Sequence, residues 1–240
     1  MSTTSTIDTV PANASLHATI LEVGAPVEFP RGALIFSEGE PAHHLYVVRS
    51  GKVKIGSQRD GKKVLLRIVG PDEIFGELAL LDPGPRSAAA TTLTETLATV
   101  VDRATLKLII RSSPELAEEL LRIQARRVRR ANDAVHDAAY TDVPARLATV
   151  LLQFMLRFGT RESRGYRVVC DLNQIELAQL VGSTRESVNR ALADFARRGW
   201  LQIDRKSVFI TDADRLARRS RYTPGIDDLR PNRPSSPTSR

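Results

Sequence analysis

Phe75-Gly76-Glu77-Leu78-Ala79-Leu80-Leu81-Asp82-Pro83-Gly84-Pro85-Arg86-Ser87-Ala88-Ala89-Ala90 decides how the chain is read, because it sets a glycine, an acid, a base and a hydroxyl on one short connection. Gly76 lets backbone approach a ligand closely, and a helical turn over residues 77–80 offers its free N–H groups to a phosphate. Arg86 supplies a fixed fork of donors suited to a phosphate monoanion, and Ser87 adds a further hydrogen bond. Glu77 has a different task. As an acceptor-only carboxylate it repels phosphate and takes a hydroxyl donor, for which the ribose 2′-OH at the far end of a cyclic nucleotide is the natural candidate. The plainer alternative is a buried Glu77–Arg86 pair bracing a turn, which would not require Gly76, Pro85 and Ser87 as well.

Around this stretch, glycines from Gly24 to Gly84 punctuate short apolar runs at residues 33–36, 45–48, 53–55 and 64–69, and a last pair of strands is expected within 88–101. Asp60-Gly61 between two of these runs suits a hairpin turn. Regular turns between short strands predict an antiparallel sandwich, and periodicity alone leaves jelly roll and other sandwiches open. The quoted segment resembles the phosphate-binding cassette of the cyclic-nucleotide-binding domain, down to the nine-residue step from Glu77 to Arg86 and the Pro-Arg-Ser-Ala-Ala ending. That resemblance implies a jelly roll whose ligand set includes Gly76, Glu77, Leu78, Arg86 and Ser87. In it Gly76 and Arg86 hold the cyclic phosphate, Glu77 holds the ribose hydroxyl, and Ser87 assists.

At 240 residues the chain has room for two domains, each with its own core. No apolar run approaches membrane-spanning length, and the Ser/Thr-rich start lacks the basic and apolar regions of a signal peptide, so a cytoplasmic protein without membrane attachment is expected. Cys170 is the sole cysteine. It excludes an intrachain disulfide and a Cys-ligated iron–sulfur cluster, and reads as a small core residue. The net charge of +7 is unevenly spread: residues 1–141 hold 17 Lys+Arg against 17 Asp+Glu, and residues 142–222 hold 15 against 9. A basic second half joined to a neutral first half predicts that the second half meets a polyanion.

Residues 102–110 and 114 to about 139 turn helical in character, with Pro114 in a first turn and Glu115, Glu118 and Glu119 at the positive end of the helix dipole. Leu121, Val128 and Val135 recur every seven residues, with Ala131 and Ala138 beside them, which sketches a coiled-coil seam. Packing against the chain's own sandwich is the bland alternative to a parallel homodimer. Asp142-Val143-Pro144 breaks this helix and opens the next. A third helix over 144–158 carries Leu147, Val150, Leu151, Phe154 and Phe158 on its apolar side, and residues 159–165 read as a polar loop.

Between Leu172 and Ile203 the pattern is helix, tight turn, helix and short strand, with Thr184 capping a second helix that runs to about Arg198. Leu177, Ala178, Val181, Val188, Leu192 and Phe195 form its packed side. Arg185, Glu186, Asn189 and Arg190 share the opposite face near the amino end, where a recognition helix meets base edges. Thr184 and Ser187 accompany them, and Arg205 and Lys206 would form a wing tip near phosphates. Arg215, Arg218, Arg219 and Arg221 either extend that positive surface or are disordered. The run Val-Gly-Ser-Thr-Arg-Glu-Ser-Val-Asn-Arg resembles the winged helix-turn-helix of cyclic AMP receptor proteins. By that resemblance Arg185 contacts a guanine, Glu186 a cytosine amino group and Arg190 a further base.

Two motifs in the right order identify the chain as a member of the Crp/Fnr superfamily, nearest the global regulators of actinobacteria. The implied fold class is α+β: a flexible arm (1–15), a cyclic-nucleotide-binding jelly roll (16–113), a long dimerisation helix (114–141), a winged helix-turn-helix (142–222) and a disordered tail (223–240). The implied function is a cyclic-AMP-responsive transcription regulator that binds a palindromic TGTGA/TCACA-type operator as a homodimer. Cyclic GMP is the alternative ligand, no metal is expected, and RNA polymerase is a candidate partner. In those relatives the long helix offers the adenine a threonine followed by a small polar residue. The matching positions here are Ala131, which has no hydroxyl, and Asn132. Ala131 supports a rival in which the same fold binds DNA largely without cyclic nucleotide, or answers another effector. An enzyme has little support, because His17, His43, His44 and His136 are scattered without nucleophile–base or metal spacing.

Overall fold

The computed structural model describes residues 15–59, 61–204 and 207–220. Residues 1–14, 60, 205–206 and 221–240 lie outside the described residues, and with them all but Ser15 of the expected arm (1–15), Asp60 of the expected hairpin turn, Arg205 and Lys206 of the expected wing tip, Arg221, and the expected tail (223–240). Two compact units divide between Val135 and His136.

The first unit opens with α1 (Leu16–Val23), a helix not among the elements expected from the sequence. Eight residues are too few to hold a helix in water, so its contacts make it. The Ser15 hydroxyl accepts from Ala18 N at 3.2 Å, Leu16 N donates to Glu119 Oε2 at 2.7 Å, and Leu16 and Ile20 are buried. Then follow β1 (Ala25–Phe29), β2 (Leu34–Phe36), β3 (His44–Ser50), β4 (Val53–Arg59), β5 (Lys62–Val69) and β6 (Ile74–Phe75). After them come the short helix α2 (Leu78–Leu81), β7 (Ala89–Thr92) and β8 (Thr96–Asp102).

The strands form two antiparallel sheets, ordered β1-β8-β3-β6 and β2-β7-β4-β5. Their alternation points Leu45, Val47 and Val101 into one cluster and Val48, Val53, Ile55 and Phe75 into another. Two helices close the unit: α3 (Arg103–Ser112), capped by Asp102 onto Thr105 N at 2.8 Å, and α4 (Pro114–Tyr140). At 27 residues α4 is about 40 Å long. It buries Leu116 and Leu120 in the first cluster, with Ile123 packed beside them.

The second unit takes over inside α4. Asp142 caps α5 (Val143–Phe158) by accepting from Ala145 N at 3.0 Å, with Pro144 in the first turn. The buried side of α5 is Leu147, Ala148, Leu151, Leu152 and Phe154, whereas Val150 and Phe158 of the expected apolar side are half-buried. The polar stretch expected to be a loop is instead β9 (Gly159–Glu162), paired antiparallel with β10 (Gly165–Val169). It is an edge strand with outward polar side chains, so it carries no alternation for a sequence to show. Next come α6 (Gln174–Val181), α7 (Arg185–Arg197), β11 (Leu201–Asp204) and β12 (Ser207–Ile210), the strands completing a sheet ordered β11-β12-β10-β9. Arg215, Arg218 and Arg219, for which disorder was one expectation, lie on a last helix, α8 (Ala213–Ser220). That helix buries Leu216, and Arg219 reaches Asp142 Oδ2 at 2.7 Å. Cys170 is buried.

Candidate ligand cavity and nucleic-acid interface

Gly76 joins β6 to α2 with φ +80°, a conformation that L side chains rarely adopt. A Cβ there would also stand 2.8 Å from Arg86 Nη1 and 3.3 Å from the Phe36 ring. The glycine is therefore required twice, by its own torsion and by the arginine laid across it. Arg86 Nη1 donates to Gly76 O and Nη2 to His44 O, both at 2.6 Å, and the guanidinium lies 4.0 Å over the Phe36 ring. Its main chain is fixed as well, with Arg86 N donating to Glu40 O and Gly39 N to Arg86 O, each at 2.8 Å. Arg86 Nε is buried without a hydrogen-bond partner, and burial lowers the guanidinium below its ordinary pKa, opposed by the nearby Tyr46 and Glu40.

Glu77 begins the helical turn: Leu80 N and Leu81 N both donate to its carbonyl at 2.9 Å. Its side chain is 1% exposed. Oε1 accepts from Arg127 of α4 and, at 3.4 Å, from Gln124, while Oε2 is buried with no partner. Glu77 thus pairs with a residue of the long helix, and Arg86 with two carbonyls, which is not the Glu77–Arg86 brace of the plainer reading. Arg127 also donates to Ile74 O at 2.5 Å. Burial, then the like charges of Arg67 and Arg130, lower its guanidinium to about 9 against the pull of Glu73, so it stays cationic at neutral pH.

These groups line one cavity of about 150 Å³, together with Ile55, Leu66, Phe75, Leu78, Ala79, Ser87 and Ala88. Gly76, Glu77, Leu78, Arg86 and Ser87 are all on its wall; Ala131 and Asn132 are not. Both are exposed on α4, at helical spacing from Val128 and Val135. Chemically the wall offers an unpartnered buried acceptor, Glu77 Oε2, and an unpartnered buried donor, Arg86 Nε. Phe36, Ile55 and Leu66 add apolar surface to the same wall, which suits a small ligand with an anionic end, a hydroxyl and a flat ring.

Phe36, Ile55, Leu66, Arg67 and Arg127 are on this wall without being candidates from the sequence. The first four lie in the apolar runs 33–36, 53–55 and 64–69, which mark strands but not the cavity. Arg127 is one of five arginines between 122 and 130, but a signal for it exists: the buried stripe Leu116, Leu120, Ile123 extends by helical spacing onto residue 127. Replacing Arg127 by leucine is expected to leave a buried carboxylate without its countercharge and to lower unfolding stability by about 3 kcal/mol. Urea denaturation checks it, and an unchanged midpoint would mean that Glu77 finds another partner.

In the second unit Asn173 caps α6 through a capping box with Glu176, and Gly182, at φ +68°, ends it in the left-handed conformation that makes the tight turn. Leu177, Ala178, Val181, Val188, Leu192 and Phe195 are all buried, with Phe195 stacked on Trp200 at 5.4 Å. The turn is held from outside too. Arg146 of α5 donates to Val181 O at 3.0 Å and Gly182 O at 3.2 Å, and also to Thr141 O and, at 3.5 Å, Asp137 O. One guanidinium therefore ties the end of α4 to the helix-turn-helix.

Arg185, Glu186 and Arg190 are exposed on the first turns of α7, with Asn189 half-buried beside them. Thr184 and Ser187 are engaged in the cap, Thr184 Oγ1 accepting from Ser187 N at 3.2 Å. A partner unforeseen from the sequence is Gln174, whose Oε1 accepts from Arg185 Nε at 3.0 Å and from Asn189 Nδ2 at 3.1 Å. Among the described residues no helix is long and apolar enough to cross a membrane, and no group of three or more His, Cys, Asp or Glu could hold a metal ion.

Comparison with known proteins agrees with this division of labour. Residues 26–113 match the family model for the cyclic nucleotide-binding domain, and residues 145–219 that for the Crp-like helix-turn-helix domain. The chain is 55% identical over 197 residues to the CRP-like cAMP-activated global transcriptional regulator of Mycobacterium tuberculosis, covering 82% of this chain and 88% of that relative. It is 32% identical over 186 residues to the cyclic AMP receptor protein of Thermus thermophilus, covering 77% and 83%. Among solved structures, a CRP-family transcriptional regulator from Thermus thermophilus superposes with a TM-score of 0.69 at 27% identity, over 82% of this chain and 97% of that one.

Proposed function

Since the chain belongs to the family of transcription regulators that join a cyclic nucleotide-binding domain to a Crp-like helix-turn-helix, we propose that it is a cytoplasmic homodimer. Cyclic AMP raises its affinity for a palindromic operator of the TGTGA/TCACA type. The observation that carries the ligand is the pairing, on one wall, of an unsatisfied buried carboxylate oxygen and an unsatisfied buried guanidinium nitrogen. Such groups are costly unless something completes them. A cyclic nucleotide supplies a ribose hydroxyl for Glu77 and a phosphate for Arg86, with Gly76 and Ser87 beside it. Similarity to the cAMP-activated regulator of M. tuberculosis supports cyclic AMP, rather than cyclic GMP, as the ligand of this chain.

Arg127 gives the ligand a lever. With Gln124 it holds Glu77 Oε1 from α4, so a hydroxyl that takes the unpartnered Oε2 binds the same carboxylate by which the long helix is fastened. A ligand shifts such an equilibrium only through its differential affinity for the two states. Two copies are supported by Leu121, Val128 and Val135, which stand 68%, 60% and 71% exposed at seven-residue intervals along α4. A dimer would present two copies of α7 to successive major grooves. RNA polymerase is the partner through which a regulator of this kind would act.

Isothermal titration with cyclic AMP and cyclic GMP, paired with operator binding in the presence and absence of each, tests the reading. Tight cyclic AMP binding with no change in operator affinity would overturn the coupling. It would support the second reading, in which DNA is bound without cyclic nucleotide, and that reading draws on one observation: Ala131, with no hydroxyl, lies off the cavity wall. For the interface, Arg185→Ala is expected to cost about 1 to 3 kcal/mol on the operator and almost nothing on random duplex, because a bidentate arginine–guanine contact reads sequence. Equal losses on both duplexes would make Arg185 a phosphate contact.

A further inference from the structure

We infer that Gln174 is a positioning residue for base reading: its amide oxygen, receiving Arg185 Nε and Asn189 Nδ2 together, sets both side chains toward the base edges before DNA arrives. The inference rests on the reading of α7 as the recognition helix. Gln174 is the first residue of α6, eleven positions before Arg185 and fifteen before Asn189, so the contact exists only because the tight turn folds one helix against the other. The orientation of the amide is fixed by chemistry. Both partners are donors, and only the oxygen end of a carboxamide can accept from two donors at 3.0 and 3.1 Å.

The consequence for Arg185 is a choice between two ways of presenting a guanidinium. A fork can be offered side-on, through Nε and one terminal nitrogen, or end-on, through Nη1 and Nη2. With Nε held by Gln174, the end-on fork is left for guanine O6 and N7. Asn189 keeps its carbonyl oxygen and one N–H for a neighbouring base edge. Arginine carries much rotamer entropy, and fixing it in advance means that less is lost on binding. The effect is specific to sequence. Pre-alignment of a fork strengthens binding where a guanine meets it and adds nothing on a duplex held only by its phosphates.

The experiment uses the full chain with cyclic AMP and three duplexes: a TGTGA/TCACA-type palindrome, the same duplex with the guanines substituted, and a random sequence. Gln174→Met keeps length and removes the acceptor. It is expected to weaken the palindrome roughly 3- to 10-fold, about the worth of one ordinary hydrogen bond, and to leave the random duplex unchanged. In an Arg185→Ala background the same change should cost less than 2-fold, because there is no fork left to align. Gln174→Glu retains an acceptor. It should keep the ratio of palindrome to substituted duplex while lowering all three affinities, as its charge repels phosphate. Equal losses from Gln174→Met on palindrome and random duplex would show a phosphate contact and overturn the inference. So would the same loss with and without Arg185. If Arg185→Ala itself failed to weaken the palindrome selectively, the recognition-helix reading would fall first, and the role of Gln174 with it. Gln174 is exposed, so an unchanged melting temperature for each variant is expected.

Discussion

Arg86→Ala is expected to reduce cyclic AMP binding by a factor of about 30 to several thousand, the result of removing one side of a buried, hydrogen-bonded charge pair. The residue is 5% exposed, and what it offers the ligand is the unpartnered Nε, its two terminal nitrogens being held by Gly76 O and His44 O; Arg127 on the same wall is occupied by Glu77 and Ile74 O. The substitution also releases Gly76 O and His44 O, so some loss of stability accompanies it. Arg86→Lys separates the two effects. Lysine keeps the charge but not the planar fork, so it should bind cyclic AMP more weakly than wild type and better than alanine, with a melting temperature closer to wild type. The check is calorimetry on all three proteins. Wild-type affinity in Arg86→Ala would remove the phosphate from this wall and leave the cavity without its anionic ligand.

Much of this site could be read in the sequence because the cassette is local. Gly76, Glu77, the short turn to Leu80 and the return to Arg86 lie within eleven residues, and their torsions follow from residue type. The helix-turn-helix is similar: a capping residue, an apolar stripe and a glycine in the left-handed conformation each leave a mark on the chain. What was not legible depends on segments far apart in the chain. Arg86 meets His44 O across 42 positions, and Arg127 meets Glu77 across 50. Neither arginine announces its partner, and Arg127 sits among four neighbours of the same type. The helix α1 is too short to stand on its Ser15 cap and its Leu16–Ile20 pair alone and forms because Glu119 and the sandwich receive it, whereas β9 has no pattern of its own and forms because β10 supplies its ladder.

Arg146 shows the same limit at the other end of the long helix. From sequence it is one of several arginines on a basic half. In the structure it holds the carbonyls of Asp137 and Thr141 together with those of Val181 and Gly182. Carbonyls at the end of a helix need donors, and here one side chain supplies them to two elements at once.

Replacing both Val128 and Val135 by glutamate is expected to yield a folded monomer that still binds cyclic AMP and has lost operator binding by roughly 100- to 10,000-fold, the advantage two linked half-site contacts hold over one. The two side chains are 60% and 71% exposed and belong to neither buried cluster, so the single chain loses nothing by the change. A second copy would meet four carboxylates along one apolar seam, where burial of charge without a partner is costly. Arg129 and Arg130 lie one position or two from Val128, yet helical geometry turns them off that seam, so they cannot neutralise it. Sedimentation measures the oligomeric state, calorimetry the nucleotide and anisotropy the operator. A variant that sediments as a dimer would move the interface away from α4. A monomer with undiminished operator affinity would instead mean that one copy of α7 suffices to hold the operator, and that the palindrome does not require two.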